Sequence, residues 1–223
     1  MVLDFFRSSG PSGLDAVQDI LVGMLEDGHD VFVTACDALF GGGKSKETKR
    51  EVKSTDKEIN QAQRDVRRHL MVHAAVNDTD LPLVLQYASI VKDAERIGDY
   101  AKNIYDLVKY GANFDEADDR ETLESYRDAV AQLILDAAAA FGAKDAEEAQ
   151  RLIGKADGFL SDYDDRIKES YNSDGPVSYA VARALYYRFL KRTTAHVMNV
   201  LTSLVQPLDR LDHYDEAPED RLP

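Results

Sequence analysis

The sequence contains very little cysteine, tryptophan or proline. Of its 223 residues one is cysteine (Cys36), six are proline and none is tryptophan. A single cysteine excludes an internal disulfide framework and any cysteine-based zinc or iron–sulfur cage. No apolar run approaches the roughly 20 residues that span a bilayer, and the first residues contain no signal-peptide hydrophobic stretch. We therefore expect a soluble, cytoplasmic protein.

Basic residues are also scarce relative to acidic ones. Lys and Arg number 27 against 41 Asp and Glu, which gives a formal net charge of −14. A surface this negative repels phosphate backbones, so we expect no direct nucleic-acid binding. Asp is twice as frequent as Glu, although Asp is the poorer helix former. Adaptation to high salt would explain this excess, and so would ordinary solvated helix faces.

Glycine and proline divide the chain into segments whose apolar residues have helical spacing. In the third segment apolar residues alternate in steps of four and three from Leu83 to Val108. Such a heptad pattern is typical of long helices that pack nearly parallel. No segment alternates with a period of two, so no sheet is expected. We predict an all-α, six-helix bundle with helices over about 14–40, 44–76, 82–110, 117–141, 144–171 and 178–205.

Two motifs resemble ligand-binding sites but are better explained by a role in the fold. The GGGKS sequence at 41–45 is part of a phosphate-loop pattern, but Ala38 stands where that pattern requires glycine, and the segment follows a helix. We interpret it as a linker that ends a helix. His69 and His73 have the i, i+4 spacing of metal ligands, but His73 falls on an apolar stripe.

A polar strip on the third helix is a stronger candidate. Glu95, Asp99 and Asn103 stand at i, i+4 and i+8, which places them on one helix face, opposite the heptad seam. Carboxylate and amide oxygens suit magnesium, manganese, calcium or iron; a solvated face is the alternative. Gly98, in mid-helix, costs about 1 kcal/mol relative to alanine. It indicates the close approach of another helix or a bound partner.

This segment makes the sequence recognisable. DAERIGDYAKNIYDL at 93–107 resembles the signature of the PhoU family of phosphate-uptake regulators, in which a Glu/Asp-x-x-x-Asp motif recurs in two three-helix repeats. STDKEIN at 54–60 resembles the matching stretch of the middle helix, and the resemblance extends over about 14–206. It implies two pseudo-symmetric three-helix units and metal clusters on the motif carboxylates. It also implies a cytoplasmic regulator that works with the phosphate ABC transporter ATPase, a phosphate sensor kinase, or both.

The second repeat departs from the family pattern. When the repeats are aligned, Lys191 replaces Glu95 and Ala195 replaces Asp99, so a cation stands where a metal ligand is expected. Other positions are kept, pairing Arg96 with Arg192, Asn103 with Asn199, and Asp56 with Asp164. We therefore predict a metal site in the first repeat only.

These observations lead to a specific set of expectations. We predict an N-terminal extension over 1–13, PhoU-like repeats over 14–113 and 114–207, and a frayed acidic tail over 208–223. A divalent or iron-type metal ion would be held by Glu95, Asp99, Asn103 and Asp56. We expect a homodimer that reaches the membrane only through a partner.

The function expected is regulation without catalysis. No nucleophile and no acid–base pair with a positioned histidine is visible in the sequence. The favoured hypothesis is a regulator of phosphate uptake and phosphate signalling that acts by protein–protein contact. The alternatives are a metal-binding scaffold or adaptor without a phosphate role, and a metal-dependent enzyme that uses the same carboxylates.

Overall fold

The part of the chain described in the computed structural model, residues 13–76 and 80–211, is helical and contains no strand. The prediction of an all-α fold with six long helices is confirmed. No helix in these two ranges is both long and apolar enough to cross a membrane. The helices are α1 (Gly13–Asp37), α2 (Lys46–Val76), α3 (Leu81–Lys109), α4 (Arg120–Ala143), α5 (Ala146–Tyr171) and α6 (Val177–Thr202).

Local sequence explains where the helices begin and end. A π-helical turn over Ala38–Gly42 closes α1, and Gly41 (φ 124°) and Gly43 (φ 63°) take backbone conformations that favour glycine. The GGGKS segment is therefore a linker between α1 and α2. Asp80 and Asp145 cap α3 and α5, because their side chains accept hydrogen bonds from backbone N–H groups in the first turn.

Helices α1 and α3 form the centre of the molecule. α1 packs against α2, α3 and α4, while α3 also packs against α2 and α6; α5 packs mainly against α6. The α3–α6 and α1–α4 contacts join the first three helices to the last three. The heptad seam of α3 is buried as predicted, except that Leu83 is only partly buried.

The polar strip of α3 was expected on the face opposite the packed heptad seam. For Glu95 the expectation that this face lies outside the packing was wrong. Glu95 is buried, with 7% of its surface exposed, and Gly98 beside it is buried too. The reason is that α3 has neighbours on several sides, so a second line of residues is covered. A Cβ added at Gly98 would lie 2.8 Å from Ile59 Cδ1 of α2, so the glycine accommodates another helix.

The acidic tail begins later than predicted. Leu208–Arg210 form a 3₁₀ turn, Leu208 packs against the core and Leu211 is buried. The folded part of the chain therefore continues beyond 208, where the acidic tail was predicted to start. Residues 1–12 of the extension predicted over 1–13, and residues 212–223 of the predicted tail, lie outside the described residues, as do residues 77–79, while Gly13 begins α1.

Candidate metal site between α2 and α3

Two of the four predicted metal ligands, Asp56 and Asp99, form ion pairs with the same lysine side chain, Lys102. Asp56 is on α2, and Asp99 is on α3. Lys102, one turn after Asp99, places its Nζ 2.8 Å from Asp56 Oδ1 and 3.4 Å from Asp99 Oδ1. Arg96 lies on the other side of Asp99, with 3.6 Å between its Nη1 and Asp99 Oδ2. The two carboxylates therefore share an ammonium group.

The other two predicted ligands are not part of this cluster. Glu95 pairs with Lys92, whose Nζ lies 2.6 Å from Glu95 Oε2. Asn103 is half-buried one turn beyond Asp99. Within residues 13–76 and 80–211, no three His, Cys, Asp or Glu side chains form a group that could hold a metal ion. The four-residue metal site stays a prediction.

The pKa of Lys102 reflects its contacts with Asp56 and Asp99. Partial burial of the ammonium by itself would lower the pKa of Lys102. The hydrogen bonds and negative charges of Asp56 and Asp99 outweigh this effect, so the pKa of Lys102 is raised above its usual value. The lysine therefore remains charged and neutralises part of the charge of the two carboxylates. A metal ion bound between Asp56 and Asp99 would have to displace this ammonium group.

The corresponding place in the second half also holds an ion pair. Asp164 of α5, the predicted counterpart of Asp56, lies with its Oδ2 2.5 Å from Lys191 Nζ of α6. Lys191 stands where the alignment places Glu95. Each middle helix thus presents an Asp that pairs with a lysine of the following helix, although the two lysines occupy different alignment positions. Lys102 was missed from the sequence, although its i, i+3 spacing from Asp99 is a recognisable signal.

A partly buried polar network between α3 and α6 was also missed. His196 Nδ1 lies 2.8 Å from Asp93 Oδ1, and Asn199 Nδ2 donates to the same oxygen at 3.0 Å. Tyr100 stacks on the His196 ring at 5.6 Å between centroids, and Arg192 Nη2 is 3.2 Å from His196 Nε2. The network links the two halves of the bundle. The available signal was the pair of polar residues, His196 and Asn199, within the most apolar turns of α6.

Fold and motif together define the class: a six-helix bundle whose first half carries the PhoU-like acidic motif. The PhoU domain model matches residues 21–108, a range that includes α2, α3, Asp56 and Asp99. Residues 21–108 are thus similar to the PhoU domain, and the resemblance seen in the sequence is confirmed over this range. No curated protein matches the chain in sequence.

Two solved structures have a similar fold over most of the chain. The phosphate transport system regulatory protein PhoU from Streptococcus pneumoniae superposes with a TM-score of 0.76 at 20% identity, covering 94% of this chain and 97% of that one. PhoU from Pseudomonas aeruginosa gives a TM-score of 0.75 at 20% identity, covering 89% of this chain and 96% of that one. The PhoU-like fold thus extends beyond the matched domain into the second half.

Proposed function

We propose that this chain is a cytoplasmic regulator of phosphate uptake and phosphate signalling that acts by protein–protein contact rather than by catalysis. The observation that carries the proposal is the combination of a PhoU domain over 21–108 with the fold of two PhoU proteins over almost the entire chain. One of these proteins is described as a phosphate transport system regulatory protein. The partners we propose are the phosphate ABC transporter ATPase, the phosphate sensor kinase, or both.

The regulatory role is tested in the source organism. We expect deletion of the gene to change phosphate uptake and the expression of a phosphate-responsive reporter in phosphate-rich medium, and reintroduction of the wild-type chain to restore both. Co-purification with the transporter ATPase and with the sensor kinase then identifies the direct partner. Unchanged uptake and unchanged reporter expression in the deletion strain would overturn the proposal.

We further propose that a divalent or iron-type metal ion binds at the carboxylates of α2 and α3, by displacing Lys102. Asp56 and Asp99 already bind one cation from two helices, and carboxylate oxygens are ligands for hard metal ions. Glu95 lies one turn before Asp99, so its release from Lys92 would add a third carboxylate. We propose that Glu95, Asp99, Asn103 and Asp56 together would hold this ion.

The metal proposal is tested by measuring metal per chain and thermal shift in protein purified without chelator. Glu95→Ala with Asp99→Ala should abolish binding and the stabilisation that grows with the logarithm of metal concentration over Kd. Lys102→Gln should raise metal affinity, because it removes the competing cation. The matched control is Asp162→Ala with Asp165→Ala, which removes two exposed carboxylates from α5. Equal metal binding by the wild type and the Glu95/Asp99 variant would contradict the site.

A further inference from the structure

Helix α2 is basic, although the chain as a whole is strongly acidic. It contains eight Lys or Arg residues and five Asp or Glu residues. At about 100° per residue all eight cations fall within one arc of about 100°, which extends for about 33 Å at 1.5 Å per residue. We call this face the basic stripe; it consists of Lys46, Lys49, Arg50, Lys53, Lys57, Arg64, Arg67 and Arg68.

The first half of the basic stripe forms a shallow groove whose lining residues include no Asp or Glu. The groove has a volume of about 370 Å³ and is lined by Ser54 and five cations: Lys46, Lys49, Arg50, Lys53 and Lys57. All six residues are exposed. Ser54 donates its hydroxyl to Glu58, so the cations supply the binding capacity of the groove.

The five groove cations have no ion-pair partner among the residues that the structure describes, whereas Lys92, Lys102 and Lys191 all pair with carboxylates. Like charges three or four residues apart destabilise a helix, and cations near a helix N-terminus oppose its dipole. The groove therefore places positive charges close together, which lowers the stability of α2. No contact among the described residues compensates for this loss.

We propose that this groove binds a linear phosphoanhydride chain of at least three phosphates, the chemistry of inorganic polyphosphate and of nucleoside triphosphates. The lysine ammonium is a phosphate-binding point charge. Lys46 and Lys57 are separated by about 16 Å along the helix axis, at 1.5 Å per residue. A linear anion spans several of these cations, whereas a single orthophosphate contacts those of one turn.

The composition of the stripe argues against the other anionic partners. A protein interface is depleted in lysine and has an apolar centre, but the stripe contains no exposed large apolar side chain before Met71. The same absence leaves nothing to insert into a lipid bilayer.

The experiment measures binding of the purified full-length chain to fluorescently end-labelled inorganic polyphosphate by anisotropy. Tripolyphosphate and ATP should both displace the label, and the one effective at lower concentration identifies the preferred source of the phosphate chain. Orthophosphate at equal total phosphate should not displace it. The inference goes beyond the proposed function and does not require it, because the assay contains neither transporter nor kinase.

Matched variants locate the site. Lys49→Gln, Lys53→Gln and Lys57→Gln combined should weaken binding by about tenfold or more, since three phosphate contacts are lost. Lys155→Gln, Lys168→Gln and Arg188→Gln combined make the same change of charge at exposed positions on α5 and α6, and should alter Kd by no more than about twofold. Replacing the same three stripe lysines by arginine retains the charge and should retain binding, while circular dichroism checks folding.

Several results would overturn the proposal. The wild type could fail to bind polyphosphate, or the stripe and control variants could lose affinity equally. Orthophosphate could compete as well as tripolyphosphate does. Co-sedimentation with phosphatidylglycerol vesicles that tripolyphosphate does not reverse would assign the stripe to a membrane surface instead.

Discussion

At the scale of single residues, Gly98 determines how closely α3 approaches α2. Its hypothetical Cβ would lie 2.8 Å from Ile59 Cδ1, and Ile59 is itself only 1% exposed, so the methyl group has little room to move. The sequence alone predicted a close approach at this glycine, because a mid-helix glycine is otherwise unfavourable. It could not distinguish a helix from a ligand, since that depends on which helix faces α3.

We expect Gly98→Ala to lower the free energy of unfolding by about 1 kcal/mol, because overpacking outweighs the gain in helix propensity. In an Ile59→Val background, which removes the clashing methyl group, the same substitution should be neutral or stabilising. Urea denaturation of the four proteins of this cycle measures the coupling. Gly154→Ala on α5 is the control, since nothing lies within 4 Å of its hypothetical Cβ, and it should stabilise by about 0.5–1 kcal/mol. Additive effects at Gly98 and Ile59 would contradict the packing argument.

The contact between Asp119 and Arg183 makes the stability of the fold depend on pH. Burial alone would raise the pKa of Asp119, but the hydrogen bonds and charge of Arg183 outweigh it, and the pKa is lowered from 3.8. A lowered carboxyl pKa contributes stability above its ordinary value, and that contribution is lost as the pH falls through the native pKa. We therefore expect Asp119→Asn to lower the melting temperature at neutral pH and to reduce its acid dependence below about pH 4. Thermal melts over the acidic range test this.

The control for this titration is Asp165→Asn, an exposed carboxylate on α5. It should leave both the neutral-pH melting temperature and the acid limb close to those of the wild type. If Asp119→Asn and Asp165→Asn have identical acid limbs, the Arg183 contact does not contribute to acid sensitivity.

At the scale of whole helices, the sequence was most informative about α3 and least informative about its surroundings. Its heptad spacing, with the proline and glycine that bound the segment, predicted α3 to within a few residues. Burial of Glu95 could not be predicted, because it results from α1, α2 and α6 covering different sides of one helix. Periodicity identifies the most apolar face of a helix, but it does not report how many neighbours the helix has.

Helix ends are determined by a few neighbouring residues. We therefore expect a substitution at a capping residue to change the free energy of unfolding, and one at a nearby residue that is not a cap to have little effect. Asp145 caps α5 by accepting a hydrogen bond from the Glu148 N–H at 3.0 Å. Asp145→Ala should lower the free energy of unfolding by about 1 kcal/mol. Asp174→Ala, in the exposed loop before α6 where Pro176 takes the cap position, should change it by less than about 0.5 kcal/mol. Chemical denaturation measures both, and equal effects would contradict the capping role.

At the scale of the whole molecule, the polar network between α3 and α6 links the two halves, which also meet where α1 packs against α4. Asp93 accepts hydrogen bonds from Asn199 and contacts His196, and both partners are buried. The sequence shows that His196 and Asn199 are polar residues in apolar turns. It does not identify Asp93 as their partner, because a contact between residues more than 100 positions apart depends on the packing of the halves. The equivalence of the two three-helix units, with Arg96 and Arg192 in matching places, stays a prediction.

We expect Asp93→Ala to lower the free energy of unfolding by about 1–3 kcal/mol, because two buried groups lose their acceptor. Asp128→Ala is the matched control, since it removes an Asp that is exposed and paired with Arg127, and such a pair contributes at most about 1 kcal/mol. Urea denaturation followed by far-UV circular dichroism reports both values. A cost for Asp93→Ala no larger than that for Asp128→Ala would show that the network does not stabilise the link between the halves.

The net charge of −14 acts on the molecule as a whole. Uncompensated acids repel one another in the compact state, and the screening length falls from about 10 Å at 0.1 M salt to about 3 Å at 1 M. Salt also weakens the surface ion pairs, but each contributes little. We therefore expect the melting temperature to rise steadily over this range. Potassium and sodium chloride should act alike, since screening does not depend on the cation.

A variant of lower charge separates screening from other effects of salt. Asp128→Asn, Asp162→Asn, Asp165→Asn and Asp174→Asn combined remove four exposed negative charges, so the melting temperature should rise less steeply with salt than in the wild type. A steep wild-type curve with a shallower variant curve would favour adaptation to high salt as the reason for the excess of Asp. A flat wild-type curve would mean that these acids are ordinary solvated helix faces, because their mutual repulsion would then be too weak to affect folding.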